Sequence, residues 1–282
     1  MMRTPRLLFL IIFALLFLFL QQSDAQSLRG RVTDKDTNEP LEFVNVGILH
    51  RGTGSVTDQD GVFSFRVDSV LDTDTLRVSM LGYTTVNMTV SEFRSRLRGE
   101  MGGVALSKSF QEMRTATIHS RELKERKLGN KNDGAVQAGF SSNDLGCELV
   151  TRIDIKNDPT FIEKFNFYVS SSIFDTLLFR VNLYEMENGM PGRQINTQNI
   201  FVTTTVKKGW VSVDLSKFNL FSSKDFAIGL ELIRDFRKGD VSKGLYFGAG
   251  FLNKNSFYRQ VSQQEWKNVG VVGISFNVEV KD

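Results

Sequence analysis

Short runs of alternating apolar and polar residues, cut by glycine, aspartate and proline, recur from residue 27 to residue 280 and restrict the chain to an all-β fold. In residues 62–67, Phe63, Phe65 and Val67 fall on one side, Ser64 and Arg66 on the other. Side chains of a strand alternate sides at every residue, so such a run has one dry face and one wet face. Leu76, Val78 and Met80 repeat the pattern, as do Val86, Met88 and Val90. Between two such runs, Asp58-Gln59-Asp60-Gly61 predicts a tight hairpin turn with Gly61 at positive φ. Further on, Phe179/Val181/Leu183, Val211/Val213/Leu215, Phe226/Ile228/Leu230/Leu232 and residues 272–280 alternate in the same way. With shorter runs at 149–155, 165–169, 200–206 and 245–248, about eight strands are expected, spaced as in a two-sheet jelly roll. Met190-Pro191-Gly192, Lys207-Lys208-Gly209 and Lys238-Gly239-Asp240 are expected turns. The outward positions carry Arg180, Asn182, Ser212, Asp214, Glu231 and Asn277, which leaves no continuous lipid-facing band of the kind a membrane barrel needs.

Residues 27–83 carry a more specific order of motifs. Glu39-Pro40-Leu41 is followed by Val44-Asn45-Val46, Gly52-Thr53-Gly54, the turn Thr57-Asp58-Gln59-Asp60-Gly61-Val62-Phe63 and finally Gly82-Tyr83. This order resembles the carboxypeptidase-regulatory-like domain, a seven-strand transthyretin-like β-sandwich. The resemblance covers roughly a quarter of the chain. It implies a module without catalysis, one also found as an N-terminal extension of TonB-dependent outer-membrane receptors. The rest of the chain resembles no family in this way.

The N-terminus has the composition of an export signal. Arg3 and Arg6 precede an unbroken apolar run over residues 7–20, and Ser23 and Ala25 supply the small residues of a cleavage site after Ala25. The run is shorter than the roughly 20 apolar residues a bilayer span needs. No cysteine follows it, so a lipid anchor is not expected. The chain has 35 Lys and Arg against 32 Asp and Glu; without Arg3, Arg6 and Asp24 of the leader the balance is 33 against 31. Near-neutrality suggests neither nucleic acid nor an acidic surface as a partner, and the short apolar run leaves at most a peripheral contact with membrane. The single cysteine, Cys147, excludes an internal disulfide, so stability has to come from a core that 24 phenylalanines can supply. The expected organisation is a signal peptide over 1–25, a regulatory-like sandwich over 26–90, a connector over 91–139 and a jelly-roll-like sandwich over 140–282. Within the connector, the resemblance implies a short strand pair at 104–106 and 113–118 that closes the first domain, and 119–128 reads as a helix, with Glu122 and Arg126 four residues apart.

Reactive constellations are scarce. His119-Ser120-Arg121-Glu122 has the spacing of a zinc carboxypeptidase motif, but the only other histidine is His50, upstream, and a zinc site needs three or four protein ligands. In a calcium-loop register set by Gly61, the first and last ligand positions fall on Val56 and Val67, which cannot bind the ion. No Gly-x-Ser-x-Gly is present, and Cys147, beside Gly146, reads as a small buried apolar residue. Gly248-Ala249-Gly250 follows a strand with no helix after it and is not a phosphate loop. Glu148, Asp154, Glu185 and Glu231 are carboxylates of the second sandwich, and nothing in the sequence pairs any two of them. Neither a metal nor a cofactor is expected.

Binding candidates are the aromatic residues of the second sandwich. Tyr258 and Trp266, in a polar loop over 253–268, are the foremost contacts, with Tyr246 and Phe257 beside them; Trp210, leading into an alternating strand, is assigned to the core. Ser69, Thr75 and Thr176 follow aspartate and precede an apolar residue, as in some O-glycosylated envelope proteins, and Asn87-Met88-Thr89 fits the N-glycosylation pattern. The expected function is that of an exported, non-catalytic binding or adaptor protein of a gram-negative envelope, in the periplasm or at the outer membrane, engaging a protein or a glycan. The alternatives are a glycan-active hydrolase with a carboxylate pair in the second sandwich and a structural or adhesin subunit.

Overall fold

The computed structural model describes residues 27–67, 70–98, 101–109, 123–134, 136–140, 145–236, 244–251 and 255–282. The expected leader, Ser69, the strand at 113–118, the His119 to Glu122 motif and the turn at 238–240 lie outside the described residues. Two β-sandwiches follow one another along the chain. Among the described residues no helix is long and apolar enough to cross a membrane.

The first sandwich contains β1 (Ser27–Asp34), β2 (Asn45–Ile48), β3 (Thr53–Val56), β4 (Val62–Arg66), β5 (Thr75–Ser79), β6 (Val86–Thr89), helix α1 (Val90–Ser95), β7 (Leu97–Arg98) and β8 (Met101–Leu106). One sheet runs β4-β1-β8-β7 and the other β3-β2-β5-β6, so seven strands of four or more residues are joined by the two-residue β7. The inward residues meet as a core of Val32, Val46, Ile48, Phe63, Leu76, Val78, Phe93 and Leu106, among others. Gly30 and Gly102 face each other across the parallel β1–β8 pair, and an added Cβ would lie 2.6 Å from the Phe63 ring and 2.5 Å from the Phe93 ring respectively. Both strands need glycine there because a phenyl ring lies directly over each backbone. Helix α1 starts at a reciprocal cap, with Glu92 N–H donating to Thr89 Oγ1 at 3.0 Å and Thr89 N–H donating to Glu92 Oε2 at 2.7 Å.

Two local expectations change. The turn at 58–61 forms, with Gly61 at φ +72° and the Asp58 carboxylate accepting from the Asp60 and Val62 amides. It is not a hairpin, however, because β3 and β4 belong to different sheets and the turn carries the chain from one to the other. The stretch 91–139 is shared out: β7 and β8 complete the first sandwich, while β9 (Glu125–Gly129) and β10 (Val136–Phe140) join the second. The expected helix is replaced, over residues 125–128, by β9, which pairs antiparallel with the last strand; a single Glu/Arg pair is worth too little against a ladder of backbone bonds.

The second sandwich continues with β11 (Glu148–Ile153), β12 (Thr160–Ser172), β13 (Thr176–Glu187), β14 (Met190–Gln194), β15 (Phe201–Thr204), β16 (Gly209–Asp214), β17 (Phe221–Ser222), β18 (Phe226–Phe236), β19 (Leu245–Phe251), β20 (Ser256–Arg259), β21 (Lys267–Asn268), β22 (Val272–Ile274) and β23 (Phe276–Lys281). Its larger sheet is ordered β10-β19-β12-β23-β9, with β16 and β17 also on β12 and β22 on β19. The smaller is ordered β14-β13-β18-β11-β20-β21, with β15 on β13. Between them Phe165, Phe167, Phe179, Phe247 and Phe276 interlock, mostly edge to face. Each buried phenylalanine stabilises by about 1.5–3 kcal/mol, and Cys147 lies in the same core as a small apolar residue. Met190-Pro191-Gly192 is strand β14 rather than a turn; the reversal falls one step earlier, on Asn188 and Gly189, both at positive φ.

Candidate functional site

The outer face of the smaller sheet of the second sandwich is polar, and the first sandwich lies against it. Arg180 on β13, Glu231 on β18, Glu148 on β11 and Arg259 on β20 stand directly opposite one another across four neighbouring strands. Period-two geometry puts all four side chains on the same face, in the order positive, negative, negative, positive. Both glutamates are fully shielded from solvent and Arg180 is 3 % exposed.

Hydrogen bonds tie this row together. Arg259 donates to Glu148 Oε2 from Nε at 2.8 Å and from Nη2 at 2.6 Å, and Arg180 Nη1 donates to Glu231 Oε2 at 3.2 Å. Asn182 Nδ2 lies 2.9 Å from both Glu148 Oε1 and Glu231 Oε2, so one amide bridges the two like charges. The Tyr184 hydroxyl donates to Glu148 Oε1 at 2.7 Å and accepts from Arg259 Nη2 at 2.8 Å. Trp266 lies over the Arg259 guanidinium at 4.3 Å and edge-on to Tyr184.

Burial sets the protonation of this cluster. It raises the Glu231 carboxyl; Arg180 opposes that and Glu148 adds to it. Burial also lifts the Tyr184 hydroxyl well above its ordinary range, so it remains a donor. Burial alone would lower Arg259, yet the Glu148 carboxylate outweighs it and keeps the guanidinium charged. Glu148 and Glu231 are thus a carboxylate pair that no sequence pattern matches. Neither has an open lone pair facing solvent, as nucleophilic or general-acid chemistry would need.

Contacts between the sandwiches extend from this row. Arg180 Nη2 donates to the Phe43 carbonyl, and Phe43 itself has φ +61°, a conformation that favours glycine. Phe43 packs edge-on against Phe201 at 5.1 Å, Gln263 Nε2 donates to Ser79 Oγ at 2.8 Å, and His50 faces Glu265 at 3.1 Å. Beside these contacts a cavity of about 510 Å³ opens between the two units. Arg77 and Asn45 line it from the first sandwich; Arg180, Arg193, Arg259 and Asn199 line it from the second.

The aromatic candidates do not come together. Phe257 is 4 % exposed, packed with Val150, Tyr184 and Ala227, and cannot meet a partner. It lies on strand β20, not in a loop, and alternation turns Tyr258 the other way, against the main core. Trp266 is half-buried as the cover of Arg259, whereas Tyr246 stands exposed on the outer face of the opposite sheet. Trp210 belongs to that opposite face as well: it is 41 % exposed and edge-on to Tyr168, not a core residue. Its position is out of phase with Val211, Val213 and Leu215, which point inward. Thr75 and Thr176 open strands β5 and β13 half-exposed, and Asn87 is exposed beside Arg77. Among the described residues no three His, Cys, Asp or Glu side chains gather as a metal site.

Residues 28–98 match the family model of the CarboxypepD_reg-like domain, and the first sandwich is a carboxypeptidase-regulatory-like domain. No curated protein matches the sequence. Among solved structures, the chain aligns with the cysteine protease and lectin-like domains of Cwp84, a surface layer associated protein of Clostridium difficile, at 12 % identity and TM-score 0.37, over 81 % of this chain and 46 % of that one. The same clostridial protease after propeptide cleavage aligns equally, over 51 % of its chain. A structure of infectious bursal disease virus, Gx strain, aligns at 8 % identity and TM-score 0.30, over 90 % of this chain and 64 % of that one. The chain spans about half the length of the clostridial chains.

Proposed function

We propose that this chain is a non-catalytic binding or adaptor protein exported to the cell envelope of a gram-negative bacterium, in the periplasm or at the outer membrane, where it engages a glycan or a protein. The observation that carries this reading is the interdomain cleft, a polar concavity between two sandwiches clamped by Arg180, Phe43 and Gln263. The regulatory-like sandwich supports the adaptor role, and the apolar run behind Arg3 and Arg6 supports export. A pull-down from envelope extract together with a glycan array, run on the mature chain, tests it. Specific capture of a glycan or envelope protein is expected, with no metal dependence.

A hydrolase is the rival reading, favoured by one observation: Glu148 and Glu231 share the Asn182 amide, a juxtaposition of two carboxyls such as glycosidases use. Against it stands their complete burial and the engagement of Glu148 by Arg259, Tyr184 and Asn182. Cleavage of a chromogenic glycoside by the purified chain, abolished by Glu148→Gln, would replace the binding reading with this one.

A further inference from the structure

We propose that the interdomain cleft binds an acidic saccharide, a uronate-bearing glycan, an assignment that rests on the binding reading above and names its ligand class. The cleft volume, about 510 Å³, falls within the roughly 300–1,000 Å³ of small-ligand sites. Among the described residues, four arginines line it and no lining side chain is a carboxylate. Arg180 and Arg259 are neutralised from behind by Glu231 and Glu148, and Arg193 pairs with Glu185 at 2.7 Å. Arg77 bonds only a neutral amide in the described contacts, donating from Nε to Asn87 Oδ1 at 2.9 Å. The cleft therefore carries a positive excess centred on the first sandwich, matched to one anionic group.

Unpartnered polar atoms narrow the class. Among the described residues, Arg180 Nε, Asn45 Oδ1 and Asn199 Oδ1 are shielded from solvent without a hydrogen-bond partner, and all three side chains line the cleft. Such atoms are costly when left without a partner, so a ligand whose entry shifts these side chains enough to complete them gains affinity. The two amide oxygens need O–H or N–H donors, which a carboxylate lacks. Arg77 and Arg180 Nε need acceptors, best supplied by an anion. A neutral sugar answers the first demand alone and a simple carboxylate the second alone; a uronate answers both. Tyr83 and Met80 add an apolar wall for the C–H face of a pyranose ring.

The test is calorimetric titration of the mature chain with trigalacturonate, a hyaluronate tetrasaccharide, fully methyl-esterified trigalacturonate and a tripeptide with a free carboxyl terminus. At least one uronate is expected to bind, about tenfold or more tighter than the ester, and to weaken as salt rises. Arg77→Gln should weaken the uronate about tenfold with an unchanged melting temperature, and Asn199→Asp, near-isosteric and adding a repelling charge, should weaken it by at least as much. Trp210→Ala, on the opposite face, should leave binding intact. Equal binding of ester and acid, tighter binding of the peptide, no binding of either uronate, or indifference to both cleft variants would each overturn the assignment. A glycan or protein captured by wild type and lost with Trp210→Ala but not with Arg77→Gln would remove the cleft site and keep the binding reading. Capture of nothing by array or extract would remove both.

Discussion

Replacing Arg180 by alanine should unfold this protein more readily than any exposed substitution, and with a particular pH signature. The change removes the partner of a fully buried glutamate, two charge-assisted hydrogen bonds (to Glu231 Oε2 and to the Phe43 carbonyl) and the contact over the Phe201 ring. Breaking a buried ion pair on one side costs about 3–5 kcal/mol, and two charge-assisted bonds at about 1.5–3 kcal/mol each lead to the same figure. Glu231 can relieve part of the loss by taking a proton. Its carboxyl is already raised by burial and by Glu148, and without Arg180 nothing of opposite charge adjoins it in the row except Arg259 beyond Glu148. A carboxyl raised in the folded state costs nothing below its unfolded pKa of about 4.3 and costs most once the pH has passed the folded value. The loss should therefore be larger at pH 8 than at pH 5. Urea unfolding followed by tryptophan fluorescence measures it, as a midpoint lower by about 1 M or more. The double variant Arg180→Met with Glu231→Leu, which leaves no charge unmatched across that pair, should recover most of the stability. A loss below about 1 kcal/mol at both pH values would mean that the pair is solvated like an ordinary surface bridge, and the account of the clamp would fail.

Three more outcomes follow from particular contacts. Gly61→Ala should destabilise by about 1–3 kcal/mol, because φ is +72° and the new Cβ would lie 2.5 Å from the Val32 carbonyl oxygen; an unchanged thermal midpoint would refute this. Phe257→Ala should cost about 3–5 kcal/mol while Trp210→Ala stays within about 0.5 kcal/mol, and chemical unfolding of the two side by side decides which ring is buried. Tyr83→Phe should lower the thermal midpoint at neutral pH. Asp34 is held below the usual carboxylate range by the Asp36 and Thr37 amides first and then by the Tyr83 hydroxyl, at 3.0 Å. A depressed carboxyl contributes stability above its unfolded pKa and loses it as the pH falls through the folded value. The Tyr83→Phe difference should accordingly shrink in acid, and a difference that grows there would exclude the contact.

Much of this architecture can be traced to short-range patterns. All eight strands expected in the second sandwich exist, because each is long enough for period-two alternation to emerge. Strands without such a signature, among them β14, β17 and β21, are short or carry Pro and Gly, and they gain their pairing from a neighbour rather than from their own pattern. Trp210 shows that register outranks bulk: the phase of Val211, Val213 and Leu215 turns it outward, although its size alone suggests the core. Phe257 is the converse case, since both faces of β20 are covered and alternation no longer separates core from surface.

Alternation is a local property of the backbone, so the amino-acid order alone says that Arg180, Asn182 and Glu231 leave their sheet on the side away from the phenylalanine core. Whether that side meets water is a different matter. It depends on a second sandwich docking there through contacts such as Arg180 with Phe43, 137 residues apart. Docking turned a row of nominally exposed charges into a buried clamp and opened a cleft beside it, while the pairing of β11 with β18 set the two glutamates side by side. No pattern within a single strand encodes such pairings, because their energy comes from desolvation and Coulomb terms that exist only once distant segments meet.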